Sequence, residues 1–339
     1  MTLSAKKTGV PATPPADVEK PRPGFSTLVG KMGTFFGLVF VVILFSVLRK
    51  DTFPTFDNFE LIMLQTAVVG TAALGMTMII VSGGIDLSVG SNIALCTVVI
   101  ALLLSHHMSV PLAAIGGIGA GALCGLFISF LITTLKLSPF IVTLGMWGAV
   151  RGAAKGLAGD TTVVAPITGL NNLLTTLTPA EHWKLFPPGV WLMLALAVGV
   201  SAMLRYTRFG RHIFAIGSNE QTARLCGIPV ERTKLLIYTI GAAFAGVAGL
   251  LQFSYLTVGD PTTANGYELQ AIAAVVIGGA SLSGGQGSIL GSVLGALIMT
   301  TIGNGCTKMD LPNWVQEIVT GAIIVFAVAL DRFRHKTGA

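Results

Sequence analysis

The fold class this sequence predicts is an all-α polytopic membrane protein with about ten transmembrane helices, and three observations predict it. Of 339 residues, 53% are hydrophobic and only 11% are charged, against roughly 25% charged in a soluble domain. Mean hydropathy is +0.79. The apolar residues gather into runs near the length of about 20 that a spanning helix needs, without the alternating segments of roughly ten residues that mark a membrane β-barrel.

The candidate spans are 33–49, 61–82, 90–105, 111–135, 139–157, 189–204, 233–256, 267–282, 286–305 and 314–331. In hydrocarbon each run must satisfy its backbone groups internally, so helix is the expected state. The third, fifth and eighth are short or broken by glycine. Ahead of the first span, MTLSAKKTGVPATPPADVEKPRPGF carries prolines and charges but no apolar centre. It is not a cleavable signal peptide; residues 1–32 read as a disordered cytoplasmic tail, 33–331 as one membrane domain, and 332–339 as a second cytoplasmic tail.

Ten spans place both ends on one side. With those ends in the cytoplasm, the inner segments hold fifteen of the 21 Lys and Arg residues and the outer segments hold six. That is the bias the positive-inside rule expects. The formal charge of +6 therefore reflects orientation; no basic stripe carries the interleaved aromatics of a nucleic-acid surface. Two loops are long. Residues 158–188 lie outside and 205–232 inside, and each is apolar enough to fold against a partner or the helix ends. Trp183 and Arg151, placed in the outer segments, are candidates to meet an external binding protein.

Glycine is abundant, at 42 residues. Gly117, Gly121 and Gly125 recur every fourth residue, as do Gly287, Gly291 and Gly295, with Gly241, Ala245 and Gly249 as a third ridge. Such spacing puts small residues on one helix face, where backbones can approach. The first two ridges are each followed by a proline that opens a new run, Pro139 and Pro312, a hint of an inverted repeat. A second echo is parallel: SGGIDLSVG at 82–90 resembles IGGASLSGG at 277–285, aligning Asp86 with Ser281.

No catalytic constellation is present. There is no G-x-x-x-x-G-K-[ST] loop to cradle nucleotide phosphates, so the chain is not expected to be an enzyme. Cys96, Cys124, Cys226 and Cys306 have no metal-ligand spacing and read as packing residues. The five histidines fall in loops or at the tail. No cofactor or metal is expected in this chain.

Asp86 raises the sharper question. An intramembrane carboxylate is a functional site by default, and an ion-coupled secondary transporter with Asp86 as its ion site is one reading. Yet Asp86 falls where one span ends and the next begins, among Gly83, Gly84, Ser88 and Gly90. There Asp86 or Ser88 can accept backbone donors at the start of the third helix, close to water at the cytoplasmic edge. In the inner loop, GSNEQTARLCG reads as a short helix. Ser218 or Asn219 can cap it, Glu220 suits its positive end and Gly227 can end it. A short charged helix there is shaped to fit a cleft in a soluble partner.

GMTMIIVSGGIDLSVGS, LSPFIVTLGMWGAVRGAA, AIGSNEQTARLCGIPVERTKLLIYTIGAAFAGVAGL and VIGGASLSGGQGSILGSVLGALI together resemble the membrane permeases of ribose-type (CUT2) sugar ABC importers, whose members handle ribose, xylose, arabinose and galactosides. The resemblance runs from about residue 33 to 331. It implies ten helices arranged as in the cobalamin-type importers, in the bacterial inner membrane. It implies a dimer with a second permease copy or a paralogue, two cytoplasmic ATPase subunits that bind ATP and magnesium, and a periplasmic or lipid-anchored sugar-binding protein. The loop between spans six and seven is similar to the importers' coupling loop, E-A-A, three residues, then G. Ala223 and Gly227 match that pattern; Gln221 and Thr222 depart from it, and Glu220 stands one place early. The resemblance assigns ATPase coupling to Arg211, Gly217, Ser218, Asn219, Glu220, Ala223, Arg224 and Gly227. Asp86, Ser88, Ser281 and Ser283 are candidates for the gate or wall of the sugar's path.

Overall fold

In the computed structural model residues 25–336 are described; of the tails expected over 1–32 and 332–339, residues 1–24 and 337–339 lie outside them, whereas 25–32 and 332–336 are not tail but continue the first and last helices. Twelve α-helices follow in order: α1 (Phe25–Leu48), α2 (Phe56–Val81), α3 (Val89–Ser105), α4 (Val110–Thr134), α5 (Pro139–Ala158), α6 (Pro188–Tyr206), α7 (Arg208–Ser218), α8 (Glu220–Leu225), α9 (Val230–Leu256), α10 (Tyr267–Ile277), α11 (Ile289–Lys308) and α12 (Asn313–Lys336). The chain is thus an all-α polytopic membrane protein. Five of these helices, α2, α4, α6, α9 and α11, are long and apolar enough to cross a membrane by length and composition.

Each predicted span coincides with a helix, and the differences are informative. The eighth, α10, has only 11 residues, or about 16 Å at 1.5 Å per residue, roughly half a bilayer core. Residues 205–232 hold two helices instead of one. In α7, Gly210, Ile213 and Ile216 are buried while Arg211 points outward; the density of charge in RFGRHIFAIGS hides an amphipathic helix from a search for apolar runs.

Local chemistry explains the helix ends. Prolines occupy the first turns of α4, α5 and α6, where a missing N–H costs nothing. Thr55, Thr207, Asn219 and Ser288 accept backbone hydrogen bonds from the first turns of α2, α7, α8 and α11.

The bundle is built around α2, which is buried almost continuously from Ile62 to Val81. Its hydroxyls bond back to its own carbonyls and across to α11: the Thr66 and Thr300 hydroxyls lie 2.6 Å apart, and Thr77 donates to Ser292 at 2.8 Å. The glycine ridges act as close-packing surfaces. Gly121 and Gly125 of α4 face the backbone of α9, and Gly291 and Gly295 of α11 face that of α10.

At the end opposite α7 and α8, a two-residue strand β1 (Val163–Val164) pairs antiparallel with β2 (Val258–Gly259). The long loop over residues 159–187 folds onto the helix ends. Leu170 and Leu174 are buried, the Leu174 N–H donates to Ser254 at 2.9 Å, and the Leu177 N–H donates to Glu60 at 2.7 Å.

Candidate coupling site and translocation path

The short helix α8 is held as its sequence suggests. The Asn219 side chain accepts from the Thr222 N–H at 2.9 Å. The helix ends on Gly227, whose φ of +81° lies in the region only glycine enters freely. The Gly227 N–H donates to Arg224 O and the Ile228 N–H to Ala223 O, closing the C-terminal turn. Ala223 is buried against Ile216 and Val230. Around it Glu220 pairs with Arg224 at 3.5 Å and with Lys234 at 2.6 Å, and Arg224 pairs with Glu231. Hydrogen bonding and charge from Glu231 raise the Arg224 pKa further. Exposed pairs of this kind are individually weak, but together they tie α8 to the start of α9. Outward, α8 presents Leu225, 87% exposed. The sequence reading missed it; the signal was a lone leucine at the end of a polar six-residue helix.

The α7 C-terminus then meets the two helix breaks. Gly217 has no room for a side chain: a Cβ there would overlap the Val81 carbonyl oxygen and crowd the Gly285 nitrogen. The Gly285 N–H itself donates to the Val81 carbonyl at 2.8 Å. Gly284 in turn lies against the Gly217 carbonyl and the Gly83 Cα. Three backbone segments therefore touch directly: the end of α7, the turn after α2 and the loop after α10. Gly217 and Ser218, expected in the coupling helix, lie instead at the end of α7, and through Gly217 that end meets both turns expected at the gate.

Those two turns share a local design. Asp86 Oδ1 accepts from the Ser88 N–H at 2.8 Å and from the Ser88 hydroxyl at 2.6 Å. Ser281 Oγ accepts from the Ser283 N–H at 3.2 Å. The residues aligned by the sequence echo each accept from the residue two places on. Ser88 caps α3 by position, but its side chain makes no capping bond. The expectation that Asp86 stays near water does not hold: it is 1% exposed, and Ser88 and Ser281 are also buried. Thr143 of α5, which donates to the Ile85 carbonyl at 3.3 Å, helps cover the turn. Ser283 is exposed.

Arg151 is not a free outer-loop residue. It lies in α5, and its Nη1 donates to the carbonyls of Pro261 and Thr263 at 3.0 and 2.7 Å. Trp183 stands 78% exposed in the outer loop. Among the described residues, no group of three or more His, Cys, Asp or Glu side chains could hold a metal ion.

The model of a permease family described as "Branched-chain amino acid transport system / permease component" matches residues 58–328. The chain is 38% identical to the ribose import permease of Bacillus subtilis (strain 168), over 93% of this chain and 96% of that protein. It is 34% identical to the L-arabinose transport system permease of Escherichia coli (strain K12), over 84% and 85%. It is 33% identical to the fructose import permease of Rhizobium meliloti, over 89% and 85%. No solved structure matches the chain. The family is one of transport permeases rather than of catalysts. With its family match spanning the helix bundle and its relatives covered nearly end to end, the chain belongs to this family of ABC-importer membrane permeases.

Proposed function

We propose that this chain forms the translocation path of an ATP-driven importer for a monosaccharide of the ribose, arabinose or fructose class. The observation that carries the mechanism is the backbone joint at Gly217, which puts the partner-facing helices in contact with both interior turns. The sugar class follows the names of the relatives.

In this reading two cytoplasmic ATPase subunits bind ATP and magnesium and close on each other. Leu225 and the charged rim of α8 dock into a groove on one of them. Arg211, Ser218, Asn219, Glu220 and Arg224 contact or shape that docking surface, while Ala223 and Gly227 hold α8 in place. As α8 moves, Gly217 carries the displacement to the turns at 81–88 and 278–288, and the bundle opens alternately to each side. Asp86, Ser88, Ser281 and Ser283 keep those turns in shape.

The same reading gives ten spans in a cobalamin-importer-like arrangement, with both termini cytoplasmic in the bacterial inner membrane. A second permease copy or paralogue packs on the face of α5 that this chain leaves open, where Gly145, Gly148 and Gly152 have no neighbour within 4 Å. A periplasmic or lipid-anchored binding protein delivers sugar at the β1–β2 end.

The ion-coupled reading of Asp86 is not supported. The relatives include a ribose import permease and a probable ABC transporter permease, and Asp86 Oδ1 is engaged by its own turn. The deciding experiment is uptake of labelled D-ribose, L-arabinose and D-fructose into vesicles holding the chain with its ATPase partners and binding protein. Uptake that needs ATP and the partners is the expected result; uptake by the chain alone that an uncoupler collapses would reject the proposal.

A further inference from the structure

After α9 the chain does not begin another full crossing. Thr257 turns it at φ +64°, and residues 258–266 run back down the side of α3. Gly259 lies against Thr97, Val98 and Ala101. The Asp260 N–H donates to the Thr97 hydroxyl at 3.3 Å. By Ala264 the chain has reached Gly90, where a Cβ would overlap the Ala264 carbonyl and the Glu268 carboxylate. From Ala101 to Gly90 along α3 is about 16 Å at 1.5 Å per residue. The half-length helix α10 starts only there.

Irregular backbone at that depth survives only where protein buries it or where it lines a water-filled cavity. Protein buries this segment on one side only: Gly259, Pro261 and Ala264 are buried, and Glu268 after them, while Thr262 and Asn265 are exposed. Beside it, α5 presents Trp147, 39% exposed and with its side chain hydrogen-bonded to Glu268, next to the half-buried Arg151. The charged groups are largely committed to shaping the segment. Arg151 holds the carbonyls of Pro261 and Thr263, and Asp260 Oδ1 accepts from the Thr262 N–H and hydroxyl at 2.8 and 2.7 Å. Gln252 donates to the Thr263 hydroxyl at 2.9 Å. Glu268, 7% exposed, and Arg151 each keep one buried atom with no hydrogen-bond partner. What faces outward is the Thr262 hydroxyl and the Asn265 side chain beside one indole, with the Asp260 carboxylate half-exposed at one end. That combination suits a neutral polyhydroxylated solute, whose hydroxyls exchange hydrogen bonds with amide and hydroxyl groups while its C–H face lies on an aromatic ring. Without a full charge on Thr262, Asn265 or Trp147, contact at those three is weak and reversible, as passage requires.

We propose that residues 260–265 and Trp147 line the water-filled passage, with Thr262, Asn265 and Trp147 touching the sugar and Arg151 acting as the positioning residue that holds the segment at this depth. The proposal rests on the sugar-permease reading above, and its test separates the two.

In a Cys226→Ser background, Asn265→Cys and Thr262→Cys are compared with Phe40→Cys, which is 65% exposed on α1, in vesicles holding the whole importer. A charged methanethiosulfonate reagent should label the first two at least about tenfold faster, the ratio set by water access because the reactive species is the hydrated thiolate. Labelling no faster than at Phe40→Cys overturns the passage whatever the wild type transports. In the same vesicles Trp147→Ala and Asn265→Ala should each lower D-ribose uptake about tenfold, as loss of one contact does, and Trp147→Phe should restore part of it. Undiminished uptake in both alanine variants overturns the sugar contact. A wild type that moves none of the three sugars while Asn265→Cys still labels overturns the sugar reading and leaves the aqueous lining in place.

Discussion

The backbone N–H of Gly285 donates to the carbonyl of Val81 at 2.8 Å, joining the end of α2 to the loop after α10 beside Gly217. No side chain mediates this contact, so no rotamer can absorb a change in it.

Gly217→Ala is therefore expected to disconnect the coupling loop from the interior. The added methyl meets backbone atoms on two sides, and overpacking of this kind costs typically about 1–3 kcal/mol. ATP-dependent uptake should fall by about tenfold or more, since each 1.4 kcal/mol is a factor of ten. The ATPase subunit should still copurify, because the outer face of α8 is untouched. Gly303→Ala, where a Cβ meets open space, should transport normally.

Asp86→Asn should keep nearly full uptake, because an amide oxygen can still accept from the Ser88 N–H and hydroxyl. Asp86→Ala leaves those buried donors without an acceptor, at about 1–3 kcal/mol, and should lower the thermal stability of the purified permease. Abolition of uptake by Asn with stability unchanged would instead make the charge itself functional.

Leu225→Asp should weaken ATPase copurification, since burial of one leucine contributes about 1.5–3 kcal/mol. Gly227→Ala should act on the same readout by another route. It forces a side chain into the left-handed region at roughly 1–2 kcal/mol, loosening the end of α8 without removing a contact atom. A pull-down titration that finds both variants equal to wild type would move the docking surface away from α8.

The loop between α5 and α6 carries a pH-dependent prediction. A hydrogen bond from Lys184 holds the Glu181 carboxyl below its ordinary pKa. The folded pKa is depressed, so the pair's contribution is present above the unfolded value and is lost as pH falls through the folded one. Proteolysis of the loop near Glu181 should thus be unchanged around neutrality and should rise in acid, below about pH 4. Glu181→Gln should remove that dependence.

Leu225 and Asp86 mark how far one-dimensional reading reached. All ten apolar runs coincide with helices, and the Asn219 cap and the Gly227 stop of α8 were visible as letters. Hydrophobic length and end chemistry act over a few neighbouring residues, so they are written locally. The turn at Asp86 was legible for the same reason, but its burial was not, because Thr143 on a distant helix helps to cover it. The amphipathic helix α7 was hidden by its arginines. Residues 258–266 read as a loop followed by a full span, although the chain descends beside α3 to Gly90 before α10 begins.

Class, the positions of the apolar helices and the cap and stop of α8 thus followed from the order of the residues. The approach of Gly217 to Val81 and Gly285, the depth at which α10 starts, and the inward hold of Arg151 on Pro261 and Thr263 were decided by packing alone. Each is a meeting of backbones far apart in the chain. A glycine has no side chain whose character could announce its partner, so only the assembled bundle selects it.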